Sequence, residues 1–314
     1  MTVPKALRLD DRSIISVAGE DRLSFLQGLV SNDVRQVTDG GAIYAALLTP
    51  QGKYLFDFFI VGAGDALWLD CEAARAEALA RRLGIYRLRA RVTITPMADA
   101  ISVVAGFGTG AAAAVGLGGA DPGAAAALSS GFVFLDPRLP AAGIRCLLPS
   151  TDVPAFLAGH DFGQASRDDF DRHRLSLGLP DGSRDLIVER SLLLECGFDE
   201  LNGINWNKGC YVGQEVTARS KHRGLIRKRL VPARITGPLP APGTPIRQAE
   251  RTVGEIRSGV DGLALALLQL DALALAQEGC PDSELWAGES RVVADVPTWV
   301  HLVADRPHHP GLSR

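Results

Sequence analysis

The sequence predicts an α+β protein, a mixed α/β region over residues 1–229 followed by a small all-β module over residues 230–314. Three observations point there. The chain has 314 residues, enough for two or three domains of ordinary size. Short apolar strands alternate with helical patterns through its first two-thirds. Then Pro232, Pro238, Pro240, Pro242 and Pro245 crowd together and short strands follow, which marks a boundary and a change of architecture.

Taken in order, residues 14–17 read as a strand, and Gly19 to Arg22 open a helix whose Leu23, Leu26, Leu29 and Val30 recur at helical spacing. Residues 42–49 and 54–61 are two strands joined by the turn Pro50-Gln51-Gly52-Lys53, hence a hairpin. Residues 71–83 are rich in Ala, Arg and Glu and predict a helix, with Leu79 and Leu83 facing a core. Residues 91–95 form a β-branched run. The strand at 101–104 runs into Gly106-Phe107-Gly108-Thr109-Gly110-Ala111, a match to the G-x-G-x-x-A dinucleotide fingerprint, with Asp136 after the next strand-like run. Gly116, Gly118 and Gly119 dilute the helix that such a site needs, at a cost of about 1 kcal/mol for each interior glycine, so a plain strand-to-helix turn is the preferred reading. A strand from Gly131, the turn Asp136-Pro137-Arg138, a strand at 144–148 and a charged helix at 167–177 complete the region.

Composition excludes several classes. Hydrophobic residues make up 46% and charged residues 22%, which rules out a disordered, collagenous or disulfide-scaffold chain. A net charge of −3 argues against a basic nucleic-acid coat. Cys71, Cys146, Cys196, Cys210 and Cys280 are scattered without a CxxC pair, so a reducing compartment is expected and a self-contained zinc site is not. Residues 262–276 are apolar but short, and Gln269 and Asp271 interrupt them, so they do not span a bilayer and no membrane partner is expected. With no apolar leader at the N-terminus, the expected localisation is cytoplasmic. His160, His173, His222, His301, His308 and His309 include no H-E-x-x-H pattern, and neither a G-x-S-x-G elbow nor a P-loop is present.

The chemistry concentrates between Leu194 and Arg229. Cys210 follows Lys208-Gly209; a nearby cation favours the thiolate, and the glycine permits a turn that exposes it. If residues 214–220 are helical, Cys210 lies shortly before the positive end of that helix. The alternative is a small buried hydrophobe, and spacing alone leaves the two even. Arg219, Lys221, Arg223, Arg227, Lys228 and Arg229 form a basic run able to receive a polyanion, against the commoner solvated face. No aromatic residues interleave with it, which argues against direct nucleic-acid binding.

Lys208-Gly209-Cys210-Tyr211-Val212-Gly213-Gln214-Glu215 resembles the K-G-C-[FY]-x-G-Q-E signature of the YgfZ family of folate-binding proteins, itself similar to the aminomethyltransferase (T-protein) of the glycine cleavage system. The run from Asn202-Gly203-Ile204 to Leu230 is also similar to the family's mitochondrial iron–sulfur assembly branch, and segments such as Ser31-Asn32-Asp33-Val34 and Leu48-Thr49-Pro50-Gln51-Gly52-Lys53 extend the resemblance over nearly the whole chain. The resemblance implies a T-protein-like ring of three domains, two interleaved ferredoxin-like α/β units and a C-terminal antiparallel β-barrel, around a channel for tetrahydrofolate. It implies a folate-binding accessory factor for iron–sulfur cluster assembly or repair that presents Cys210, with Lys208 beside it, to a [2Fe–2S] cluster shared transiently with an A-type carrier or a client iron–sulfur enzyme. Candidate folate contacts are Asn32, Asp33, Glu195, Tyr211, Gln214, Glu215, Arg223 and Arg227, with Glu195 matching the glutamate that anchors the pterin. The alternative is a folate-dependent methyl or methylene transferase, aminomethyltransferase-like or linked to tRNA modification, with Asp57 as its acid. Here Lys53 stands where the transferase has a second glycine, and Asp57 alone replaces two adjacent acids, which puts transfer activity in doubt.

Overall fold

The computed structural model describes residues 3–37, 41–278 and 283–302, so Cys280, His308 and His309 lie outside the described residues. Among the described residues the chain builds two packed sheets and a closed barrel.

The first sheet is antiparallel throughout, in the spatial order Ala42–Leu48, Tyr54–Ala63, Ala66–Glu72, Arg12–Ala18, Thr93–Pro96. Its side chains alternate between two interiors, as the two-residue period of a strand requires. Phe58 and Ile60 pack with Leu26, Leu79 and Leu83 beneath the helices Arg22–Gln27 and Ala76–Arg87. Tyr44 and Phe59 turn the other way, onto Val103, Phe134 and Leu147 of the second sheet. That second sheet runs Gly163–Gln164, Lys5–Arg8, Ile101–Phe107, Ile144–Pro149, Phe132–Leu135, Ala125–Ala127. The two α/β units interleave because the chain alternates between them. Lys5–Arg8 joins the second sheet, Arg12–Ala18 the first, and Ile101–Phe107 returns to the second.

The helix Arg167–Leu177 starts on a capping box, Ser166 with Asp169, and stops at Gly178 in the left-handed conformation (φ 76°). From it Arg174 donates to Ser258 Oγ at 2.7 Å, tying the helix to the barrel. The barrel closes in the order Lys228–Thr236, Leu263–Gln269, Arg251–Val260, Pro245–Gln248, Leu285–Ala287, Ser290–Ala294, the last strand pairing with the first.

Two expectations are corrected. The segment at 71 does not begin a helix: Ala66–Glu72 is a strand that pairs on both sides, with Cys71 opposite Ser13 and Phe58, and the helix starts at Ala76. The C-terminal module expected to be all-β carries a helix, since the apolar residues after Gly262 divide between the strand Leu263–Gln269 and the helix Leu270–Glu278. No helix among the described residues is long and apolar enough to cross a membrane. The dinucleotide fingerprint lacks its context, since Ile101–Phe107 has antiparallel neighbours on both sides and is followed by a helix of only four residues, Ala111–Ala114.

Candidate functional site

The site forms where the hairpin turn at Gly52, the 3₁₀ turn Leu193–Cys196 and the helix Gln214–His222 meet. Two glycines make the meeting possible. A Cβ on Gly213 would lie 2.5 Å from the Thr49 carbonyl oxygen, and one on Gly52 would lie 2.9 Å from Val216 Cβ. Both residues also have positive φ, at 83° and 72°, so side chains are excluded twice over. The hairpin thereby packs its bare backbone against the start of the helix.

Cys210 is exposed, four residues before that helix, while Cys71, Cys146 and Cys196 are buried. Burial pushes the thiols of Cys71 and Cys196 up to about 12 and that of Cys146 higher still, so these three stay protonated hydrophobes. The loop carrying Cys210 is held from several directions. Lys208 is buried, and its ammonium donates to the carbonyls of Val30 at 2.5 Å and Asn32 at 2.7 Å. Gln27 Nε2 donates to the Lys208 carbonyl at 3.2 Å, and Val212 N–H to that of Gly28 at 3.3 Å. On the other side Asp199 accepts from Trp206 Nε1 at 2.6 Å and from Lys221 Nζ at 2.7 Å, while Lys221 lies 4.3 Å from the Trp206 ring centroid. Only the tip is bare: Gly209, with φ 93°, has nothing within 4 Å of an added Cβ.

The expectation that Lys208 places a cation beside Cys210 meets a different geometry. Its ammonium is engaged by two inward carbonyls, and burial pushes its pKa down to about 8. It anchors the loop. Asn32 is likewise an architectural clamp, with Nδ2 donating to the carbonyls of Tyr44 at 2.8 Å and Asn202 at 2.7 Å. Asp33 accepts from Arg35 and Gln27, and the Arg35 hydrogen bond, first among its causes, holds the carboxyl down at about 2. Gln214 accepts from the Tyr211 N–H at 3.2 Å, and Glu215 pairs with Arg219 one helical turn on. Asp57 is buried within the fold, its two oxygens accepting from Tyr44 Oη at 2.8 Å and Tyr54 Oη at 2.6 Å. Burial pushes that carboxyl up against the fields of Arg12 and the two phenols.

Glu195 differs from these. It is half-buried, makes no hydrogen bond among the described residues, and lines a narrow cleft with Gly52, Leu193, Thr217, Leu225 and Ile226. Burial raises its pKa, opposed by Lys228, Lys53 and Arg257. Tyr211 Oη is buried beside Thr217, and burial pushes its pKa up to about 12 against the Thr217 hydroxyl. Arg223 and Arg227 are exposed and form no ion pair among the described residues, whereas Arg229 of the same basic run is buried against Glu200 and the Leu194 carbonyl. The asparagine and lysine anchors of the loop escape a sequence reading because each has a partner 170 to 178 positions away. The Trp206–Asp199–Lys221 clamp left one signal, an isolated tryptophan in a polar loop.

Residues 227–302 match the CAF17 C-terminal beta-barrel domain family. The human mitochondrial iron–sulfur cluster assembly factor IBA57 is 34% identical over 283 residues, covering 83% of this chain and 76% of the relative. The mouse protein of the same name is 31% identical over 291 residues, covering 85% and 78%. In three dimensions the chain is similar to the glycine cleavage system aminomethyltransferase T from Bartonella henselae, with TM-score 0.75 and 15% identity over 96% of this chain and 88% of that one. The expected α+β fold with its terminal barrel, and the resemblance to the YgfZ family and the T-protein, are borne out. The expected cytoplasmic placement is overturned, because the relatives are named as mitochondrial proteins. That expectation weighed only an apolar leader, and mitochondrial leaders are basic and amphipathic instead. The chain belongs to the IBA57 family of iron–sulfur cluster assembly factors.

Proposed function

We propose that this chain is an accessory factor for iron–sulfur cluster assembly or repair that binds tetrahydrofolate and acts through Cys210. One observation carries the reading: Cys210 is exposed on a bare tip whose base is clamped from both sides, and the other described cysteines are buried. A [2Fe–2S] cluster needs about four ligands, so a single thiolate takes part only as a shared ligand with an A-type carrier or a client enzyme. In such an exchange the Cys210 thiol gives its proton to solvent and its sulfur bonds one iron. The displaced carrier ligand leaves as a thiolate and is reprotonated. Iron and sulfide keep their oxidation states.

Glu195 is the group proposed to hold a folate head group. Glu195 is an acceptor-only carboxylate with no donor, in an otherwise largely apolar slot, and an aminopyrimidine edge supplies two N–H donors. Arg223 and Arg227 supply the unpaired charge for a glutamate tail. Bound tetrahydrofolate supplies one-carbon carrier chemistry; the residues named here bind and orient it. The transferase alternative makes Asp57 the acid, yet both its oxygens already accept from buried phenols.

Titration with tetrahydrofolate, read by ligand fluorescence, tests the assignment. Glu195→Gln is expected to weaken binding about 10- to 100-fold, the scale of a charge-assisted pair. Cys210→Ser is expected to stay within about twofold of wild type, having no part in the cleft. Unchanged affinity in Glu195→Gln, or equal loss in both variants, contradicts it.

A further inference from the structure

The helix Ala76–Arg87 ends in a turn that exposes apolar and cationic groups together. Leu88 is 88% exposed in a left-handed backbone conformation (φ 43°), and Ile85 is 64% exposed. Arg81, Arg87 and Arg89 are exposed beside them and make no ion pair or side-chain hydrogen bond among the described residues. The negative end of the helix accounts for a cation in its last turn, Arg87. It does not account for Arg81, more than one turn from the helix end, or for two bare aliphatic side chains. Exposed apolar groups rimmed by charge mark an interaction surface.

Its position says which one. The segment just past this turn meets one end of the helix Arg22–Gln27, where Asp21 Oδ2 accepts from Arg91 N–H at 2.8 Å. The loop of Cys210 meets the other end, through Gln27 and Gly28. Six residues at 1.5 Å rise span about 9 Å, so the segment after this turn and the Cys210 loop are anchored at opposite ends of one short helix.

We propose that Arg81, Arg87 and Arg89 with Ile85 and Leu88 form the docking surface for the protein that brings the cluster to Cys210, a partner presenting acidic side chains around an apolar spot. The inference rests on the cluster role of Cys210 and adds where the carrier sits. Three unpaired arginines select an acidic partner and steer its approach, so the contact weakens with salt.

The test measures binding of an apo A-type carrier by calorimetry at low and physiological salt, and capture of its cluster by visible absorbance. Arg81→Glu/Arg87→Glu/Arg89→Glu is expected to raise Kd at least about 10-fold and to flatten the salt dependence, and Leu88→Ser to raise it several-fold. Both variants are expected to keep wild-type Tm, since every changed side chain is exposed. Cys210→Ser is expected to bind the apo carrier with wild-type Kd and to lose capture. If Cys210→Ser loses capture while charge reversal leaves Kd within twofold, the cluster role stands and this surface is refuted. If the carrier binds through the surface and Cys210→Ser captures normally, the cluster role fails and the docking site stands. Vesicles of anionic phospholipid form the last arm: arginine-dependent vesicle binding with an unchanged carrier Kd assigns the surface to lipid and overturns the proposal.

Discussion

The arginines between the two sheets and the arginines that follow the helix Gln214–His222 are the same side chain in opposite situations. Between the sheets, Asp70 is fully buried and accepts from Arg12 Nε at 2.7 Å and Arg145 Nη1 at 2.8 Å, while Arg138 pairs with Asp136 at 2.7 Å. The guanidinium of Arg145 also lies 4.1 Å from the Phe59 ring centroid, a stacked and desolvated arrangement. Near the site, Arg223 and Arg227 stand in solvent with no acid beside them. A buried cation must be matched, because an unpaired one is prohibitively costly in low dielectric. An exposed cation needs no partner in the fold and is therefore free for a ligand. The difference separates architecture from function within one residue type.

The largest expected break in that comparison is at Asp70. Asp70→Asn removes the counter-charge shared by buried Arg12 and Arg145, leaving Arg145 only Asp136 at 3.6 Å, and is expected to cost about 3–5 kcal/mol in urea unfolding. A sharper contrast lies within two positions of the basic run. Arg229→Met removes the buried partner of Glu200 and the Leu194 carbonyl and is expected to cost about 3 kcal/mol. Arg227→Met is expected to stay within about 0.5 kcal/mol of wild type in stability. It should instead weaken a polyglutamylated folate several-fold in the same fluorescence titration.

The smallest effect appears in acid. Burial pushes the Asp171 carboxyl up, but the Arg184 hydrogen bond and the charges of Arg174 and Arg167 prevail and hold it at about 2. Its unfolded value lies near 4, so the unfolded chain binds the proton first and stability falls as pH drops from about 4 to 2. After solvent screening the contribution is about 1 kcal/mol, and Asp171→Asn should flatten that part of a Tm–pH curve.

What was legible in the sequence was local. The hairpin across Pro50 to Lys53 and the helix Arg167–Leu177 were readable because turn residues and the Ser166 and Gly178 caps sit next to the elements they bound. The helix expected at 71 failed for the opposite reason: Cys71 is claimed by strand partners at Ser13 and Phe58, and tertiary pairing overrides the helical preference of its neighbours. At the site, the exposure of Cys210 was one of two open readings, and Gly209 was the residue that allowed it. The inward turn of Lys208 and the burial of Arg229 had no local signal, since partners far along the chain, or a buried acid reached only after folding, decide where each cation goes. A run of basic residues therefore reads as one patch in sequence and resolves into structural and available members in space.

The most direct test of the central claim is cluster capture by the full chain from a [2Fe–2S]-loaded A-type carrier, followed by visible circular dichroism in wild type and Cys210→Ser. A new cluster spectrum is expected with wild type and the unchanged carrier spectrum with Cys210→Ser, at equal tetrahydrofolate affinity. The same new spectrum in both proteins would contradict it and move the functional role away from the Cys210 tip.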